Sequence, residues 1–391
     1  MKKYKNIPFS PPLIGKEEIA EVVDTLRSDW ITTGPKTKRF ENEFRQYVGA
    51  RAALAVSSAT AALHLALIAH GVGKGDEVIT TPMTFCSGVH VIEHVGAKPV
   101  LVDVEADTLN IDPKNIEAIL KKPARRKKVK AIIIVHYGGH PCNMNAIMKI
   151  SRRYKIPVVE DAAHSLPAYY KKKIIGSFGN LTAFSFYATK NLTTAEGGML
   201  TGDPKLIEKA RIWGLHGMSK DAWNRYSSKG SWYYEVIAPG FKYNLTDIQS
   251  SLGLVQLKKL KSFHQRRNEI ARRYNRAFSS FDAIQTPEDR AEVKSAWHLY
   301  PIRLYLNRLK IGRSEFIQKL KDAGVGASVH FIPIHIHPYY RKKYGYKADN
   351  FPVAYREYQR LISLPLAPRH SDQQIDYVIR TVSELIRKFK K

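Results

Sequence analysis

Between Ala53 and Leu200 the chain repeats one pattern, a short apolar run followed by a segment with helical spacing. The apolar runs are Ala53–Val56, Glu77–Thr80, Pro99–Val102, Ala131–Val135, Pro157–Glu160, Leu181–Phe186 and Gly198–Leu200. Several are continuously apolar rather than alternating, which predicts strands buried on both faces. Strands alternating with helices predict an α/β fold around a largely parallel sheet. Ligands of such sheets sit at the carboxyl ends of the strands.

The flanks read differently. Ile19, Val22, Val23 and Leu26 have helical spacing. The turn-rich Thr32-Thr33-Gly34-Pro35 leads into a second amphipathic helix through Phe40, Phe44 and Tyr47. After Asn244, Leu245 to Leu260 predicts one long helix, and a charged helical stretch continues through Arg266, Arg267, Arg272 and Arg273. The remainder, with apolar stretches at Trp297–Leu306, Ser314–Ala323 and Ser328–Ile332 and a last helix from Asp372, predicts a smaller α+β unit. The expected division is a large α/β domain over 1–256 and a small one over 257–391. With 391 residues and 44% hydrophobic content the chain can bury a core in each.

Several classes are set aside. The longest aliphatic stretch, Ala131-Ile132-Ile133-Ile134-Val135, is far short of the roughly 20 residues that cross a bilayer. Met1-Lys2-Lys3-Tyr4-Lys5 is basic like the start of a signal peptide, but Pro8, Pro11 and Pro12 interrupt the next residues and no apolar region appears. A cytoplasmic protein without a membrane partner is expected. Cys86 and Cys142 are the only cysteines, so neither a disulfide framework nor a cysteine metal site is predicted. The net charge of +28 concentrates at Lys121–Lys130 and Arg387–Lys391. Such patches hold phosphate backbones nonspecifically, yet no helix-turn-helix, zinc-finger or RNP-like signature accompanies them. A solvated basic surface, able to attract a small anionic substrate, is expected rather than a nucleic-acid partner. No Gly-x-Gly-x-x-Gly comes after a strand, which argues against a dinucleotide fold.

Three segments carry chemistry-bearing residues. In Ser57-Ser58-Ala59-Thr60-Ala61-Ala62-Leu63 a strand gives way to a helix through small and hydroxylated residues. The free N–H groups of a helix start make an anion site, although N-capping by Ser58 or Thr60 would satisfy the same donors. In Pro157-Val158-Val159-Glu160-Asp161-Ala162-Ala163-His164 an apolar strand ends in a carboxylate able to hold a pyridinium nitrogen protonated; capping a helix is the plainer use of Asp161. In Phe184-Ser185-Phe186-Tyr187-Ala188-Thr189-Lys190-Asn191-Leu192 a lysine comes just after a buried strand, where desolvation depresses an amine and suits it to Schiff-base chemistry. A surface loop lysine is the alternative, since Lys and Arg number 63. In a parallel topology all three segments meet at one sheet edge. Together they supply a phosphate clamp, a pyridinium partner and a covalent anchor, the parts that pyridoxal phosphate (PLP) requires.

With these segments in order, and with Trp30-Ile31-Thr32-Thr33-Gly34-Pro35, Tyr243-Asn244-Leu245-Thr246-Asp247-Ile248-Gln249 and His330-Phe331-Ile332-Pro333-Ile334-His335, the chain resembles the DegT-type (DegT/DnrJ/StrS) sugar aminotransferases over nearly its whole length. The resemblance implies the fold type I (aspartate-aminotransferase-like) architecture of PLP enzymes. By it, Lys190 carries the cofactor and Asp161 pairs with the pyridinium. Ser58, Ala59 and Thr60, with the Ala61 backbone and Ser185, would hold the phosphate. Phe85 matches an aromatic that stacks on the ring, and a core phenylalanine is its alternative. His164 stands where the family often has glutamine, on the opposite ring face. Asn244 matches a residue given across a homodimer interface to the neighbouring phosphate, with a helix N-cap as its plainer use.

The implied reaction moves an amino group, with glutamate as donor, onto a nucleotide-linked keto-sugar. A UDP-linked 4-keto-6-deoxy hexose is the expected acceptor. PLP-dependent sugar dehydratases are the nearest rival, but those relatives carry histidine at the position of Lys190. Two departures from the family pattern stand out. Leu245-Thr246 replaces a stretch that often holds arginine, and Ala195-Glu196-Gly197-Gly198 replaces Gly-Glu-Gly-Gly. His216, Tyr226, His330, His335 and Tyr339 are further residues able to line a substrate site.

Overall fold

The computed structural model describes residues 6–219 and 233–391, so Tyr226 lies outside the described residues. Seven strands form the central sheet: β1 (Ala52–Val56), β2 (Glu77–Thr80), β3 (Lys98–Leu101), β4 (Val129–Val135) and β5 (Val158–Asp161), then β8 (Leu181–Ser185) and β9 (Gly198–Gly202). Between β5 and β8 the short strands β6 (Tyr169–Tyr170) and β7 (Lys173–Ile174) form a small separate sheet with β11 (Val293–Lys294). The central order is β1-β9-β8-β5-β4-β2-β3. The pairs β2–β3, β2–β4, β4–β5 and β5–β8 are parallel, whereas β9 runs antiparallel to both β8 and β1. Each predicted apolar run between Ala53 and Leu200 falls on one of these strands.

The continuous apolar runs arise because both faces are covered. Along β4, Ile132 and Ile134 pack with Phe40, Phe44, Phe184 and Leu254 on one side. Ala131 and Ile133 pack on the other with Leu63, Ala66 and Leu67 of the helix Ala59–Ala69. That helix is apolar nearly all round and is buried from Ala61 through Leu67, as a helix without a polar face must be.

A second core, around Tyr274, Phe278, Tyr300, Ile302, Phe316, Ile375 and Val378, surrounds the antiparallel sheet β10-β12-β13, with β10 at Ile284–Gln285, β12 at Tyr300–Leu304 and β13 at Leu361–Leu364. One helix, Asp247–Phe278, serves both cores. It gives Leu254, Leu257 and Leu260 to the large one and Ile270, Tyr274 and Phe278 to the small one, and it runs unbroken through residue 257.

The start of this helix differs from expectation. The helix begins at Asp247, not Leu245, and its N-cap is Thr246, whose side chain accepts from the Gln249 amide in a capping box. Asn244 is therefore not the cap. Asp247 instead accepts from the amides of Gly34, Lys36 and Thr37 and from the Thr37 hydroxyl, docking the start of the helix Pro35–Tyr47. Among the described residues no helix is long and apolar enough to cross a membrane, and no cluster of three His, Cys, Asp or Glu residues suits a metal ion.

Candidate functional site

The parallel strands β5 and β8 lie side by side, with Asp161 in register with Ala183, so the segments after them emerge at the same sheet edge. The helix Ala59–Ala69 begins at that edge after β1, beside Gly198 of β9. A cavity of about 500 Å³ opens there. Its wall includes Ser58, Ala59, Thr60, Phe85, Asp161, His164, Ser185 and Lys190, which are the expected site residues other than Asn244.

At the helix start Ser58 is the N-cap, its Oγ accepting from the Ala61 amide at 3.1 Å. That bond commits Ala61, which was expected to help hold a phosphate. The amides of Ala59 and Thr60 have no intrahelical acceptor and remain the donors able to face an anion. Capping and anion binding thus use different amides of the same turn. Gly198 makes the approach possible, because a Cβ there would stand 2.5 Å from the Ser58 carbonyl carbon and 2.7 Å from the Ala59 nitrogen.

Asp161 ends β5 and is buried, and a turn rather than a helix comes after it, so it caps no helix. One carboxylate oxygen accepts from the Ala163 amide at 3.0 Å. Burial pushes its carboxyl up from the usual range, opposed by that hydrogen bond and by the charge of Lys190. Gly88, lacking a side chain, leaves space between Asp161 and Thr84.

Lys190 lies in a turn closed by its own amide donating to the Tyr187 carbonyl at 2.9 Å. Its surface is only partly covered, yet the cavity walls strip enough water to push the ammonium down to about 8, against the opposing pull of Asp161. Among the described residues Lys190 forms no ion pair.

The remaining wall is aromatic. Phe85 is 58% exposed over the cavity and is not a core residue. His164 is buried, its Nδ1 accepting from the Gly138 amide at 3.3 Å, which leaves the proton on Nε2. Its ring lies 4.3 Å from that of His298 and is stacked at 5.7 Å with Phe331. Burial holds His164 and His298 well below the ordinary histidine value and His330 down to about 4, each lowered further by Lys190. Among the described members of the further residues expected near a substrate, His216, His330, His335 and Tyr339, only His330 reaches this cavity. His335 is buried beside Phe351, Tyr339 hydrogen-bonds Glu93 on the surface, and the His216 amide donates to the Phe241 carbonyl.

Asn244 lies elsewhere. It bridges to Val56, its side-chain nitrogen donates to the Thr33 hydroxyl at 2.6 Å, and the small hollow it lines is separate from the cavity. Sequence reasoning missed Phe9, His298 and Phe331 as cavity residues, since all three come from distant segments.

The donor set fits PLP. Two free helix-start amides suit a phosphate, a buried carboxylate without a cationic partner suits a pyridinium, and a desolvated lysine suits the aldehyde.

Comparison with known proteins agrees. A family described as the DegT/DnrJ/EryC1/StrS aminotransferase family matches residues 12–383. The chain is 52% identical over 388 residues to the spore coat polysaccharide biosynthesis protein SpsC of Bacillus subtilis, covering 99% of this chain and 98% of that one. It is also 52% identical over 381 residues to the uncharacterized protein MJ1066 of Methanocaldococcus jannaschii, covering 97% of each. Among solved structures, Spr1654 from Streptococcus pneumoniae, assigned as a sugar aminotransferase and solved in a PLP form, superposes with a TM-score of 0.90 at 38% identity, covering 98% of this chain and 99% of that one. PseC of Helicobacter pylori, an aminotransferase involved in the biosynthesis of pseudoaminic acid, matches with a TM-score of 0.90 at 30% identity, covering 98% and 100%.

Proposed function

The chain belongs to the DegT/DnrJ/EryC1/StrS aminotransferase family and is a PLP-dependent sugar aminotransferase, and on that premise we propose that it transfers the amino group of glutamate to a nucleotide-linked keto-sugar, a UDP-4-keto-6-deoxy hexose. The observation that carries the reading is the convergence of Asp161, Lys190 and the free amides of Ala59 and Thr60 on one cavity.

PLP, when bound, supplies a sink for the electron pair left when the donor's α-C–H bond breaks. Lys190 anchors the cofactor and, when its amine is free, takes that proton on Nζ and returns it; the depression to about 8 leaves the amine able to do so near neutrality. Asp161 would hold a proton on the ring nitrogen. The Ala59 and Thr60 amides, with the hydroxyls of Ser58, Thr60 and Ser185 nearby, would hold the phosphate, and Phe85 and His164 would pack against the ring.

Asn244, which stands outside its own chain's cavity, serves the cofactor phosphate of a partner in a homodimer. The strongly basic surface suits an anionic nucleotide sugar by long-range attraction. The working compartment in this reading is the cytoplasm, the pathway that of a polysaccharide as for SpsC, and the domain division lies near residue 257.

The test is to reduce the purified protein with borohydride and map the labelled peptide by mass spectrometry, then supply glutamate and the UDP-linked keto-sugar. Label on Lys190 and formation of the amino sugar with 2-oxoglutarate are expected. A protein that stays colourless and unlabelled after incubation with PLP would overturn the anchor. Labelled protein that turns over other nucleotide sugars but not this one would overturn the substrate.

A further inference from the structure

His298 belongs to the small core's side of the chain yet lines the cavity 108 positions after Lys190 in sequence number. Its ring orientation is decided by a residue next to the lysine. The Asn191 side-chain nitrogen donates to the Ala296 carbonyl at 2.8 Å, which turns the amide oxygen of Asn191 toward His298 Nδ1 at 3.2 Å. An amide oxygen only accepts, so Nδ1 carries the proton and Nε2 is a lone-pair acceptor. Burial holds the ring neutral, so this tautomer persists at neutral pH. Among the described residues Nε2 has no hydrogen-bond partner, and it is not sealed from the cavity. His164 alongside has the opposite arrangement, with Nδ1 accepting from Gly138 and Nε2 a donor. The cavity wall therefore presents one fixed donor and one fixed acceptor from two rings 4.3 Å apart.

The acceptor needs a donor. Among the described residues Lys190 is the cationic side chain on the cavity wall, it is close enough to act electrostatically on His298, and it forms no ion pair. We propose that His298 is a positioning residue for Lys190, its Nε2 accepting a hydrogen bond from Nζ once an amino donor in the cavity has displaced the lysine from the cofactor, and so holding the amine where it exchanges a proton with the substrate. Asn191 sets the tautomer that makes this possible. His298 transfers no proton itself. The inference rests on Lys190 being the anchor and base of the proposed function.

The experiment compares His298→Phe, His298→Gln and Asn191→Leu in the intact protein, measuring cofactor absorbance, borohydride labelling at Lys190, and kcat and KM for glutamate. Phe keeps the ring but has no acceptor, whereas Gln keeps an acceptor. His298→Phe is expected to load cofactor and label at Lys190 as the parent does, with kcat lower by about tenfold to a hundredfold and KM unchanged. His298→Gln is expected to recover most of that loss. Asn191→Leu, which releases the tautomer, is expected to lose kcat in the same sense while still taking label. Full kcat in His298→Phe, equal losses in Phe and Gln, or a change confined to KM would overturn the role. A parent protein with no label on Lys190 would instead overturn the proposed function.

Discussion

Asp161 and Lys190 act on each other across the cavity without forming an ion pair: burial drives the carboxyl up and the ammonium down, and each charge partly opposes the other's shift. Both charged forms are thus held in reserve at a cost to the fold. A protonated ring nitrogen beside Asp161 and a covalent bond at Lys190 would relieve both at once, which ties the site's electrostatics to the cofactor the family uses.

Replacing the proposed anchor separates chemistry from binding. Lys190→Ala is expected to lower kcat by at least about a hundredfold, because in the proposed function it removes the proton carrier as well as the covalent link. Steady-state kinetics with glutamate and an acceptor checks it. Substantial residual turnover would remove Lys190 from the reaction.

The same lysine destabilises the cofactor-free protein. Folded, it loses its proton at about 8 rather than 10.5, so the unfolded chain holds more protons between those values and stability rises with pH across that window. Below about pH 8 the whole penalty is present. Lys190→Met is therefore expected to stabilise the cofactor-free protein at pH 7 by up to ~3 kcal/mol. The gain shrinks toward pH 10.5, as thermal melts across that range would reveal.

Asp161→Asn keeps the shape of the side chain and its bond to the Ala163 amide but removes the charge. A drop in kcat of about a hundredfold is expected, comparable to losing one preorganised electrostatic group. Labelling at Lys190 is expected to survive. A kcat near that of the parent would exclude Asp161 as the ring's partner.

Gly198→Ala tests the helix-start contact. Its Cβ would collide with the Ser58 and Ala59 backbone, so the helix start must move away from β9. Overpacking of this kind costs about 1–3 kcal/mol, and weaker retention of the cofactor phosphate is expected besides. Melting curves together with a PLP titration of the cofactor-free protein check both parts.

Acid has its own signature. His164 and His298 are buried and His330 is half-buried, and desolvation holds the folded values of all three below the ordinary one, His330 at about 4. The unfolded chain takes up their protons first as pH falls below about 6.5, so stability is present above that value and is lost as pH falls toward 4. His330→Phe is expected to shift the acid unfolding midpoint to lower pH, read by circular dichroism. An unmoved midpoint would show that His330 is not part of the acid transition.

Much of this was legible in the sequence, for a local reason. Buried strands must be apolar on both faces and must end in turns, so Ile132 to Ile134, Val159 and Phe184 announced the sheet. Asp161 and Lys190 were readable because each stands at or just past the end of its strand. The Ser58 cap was readable because helix starts demand it. Distant packing decided the rest. Leu245 and Asn244 looked helical or capping by pattern, but the capping box of Thr246 with Gln249 and the docking of Asp247 onto Gly34, Lys36 and Thr37 moved the helix start to Asp247. The commitment of the Ala61 amide to Ser58, the antiparallel insertion of β9 between β1 and β8, and the arrival of Phe9, His298 and Phe331 at the cavity likewise have no local signal. They are set by contacts between residues far apart in the chain, whose free energy exists only once the two cores have closed around the helix they share.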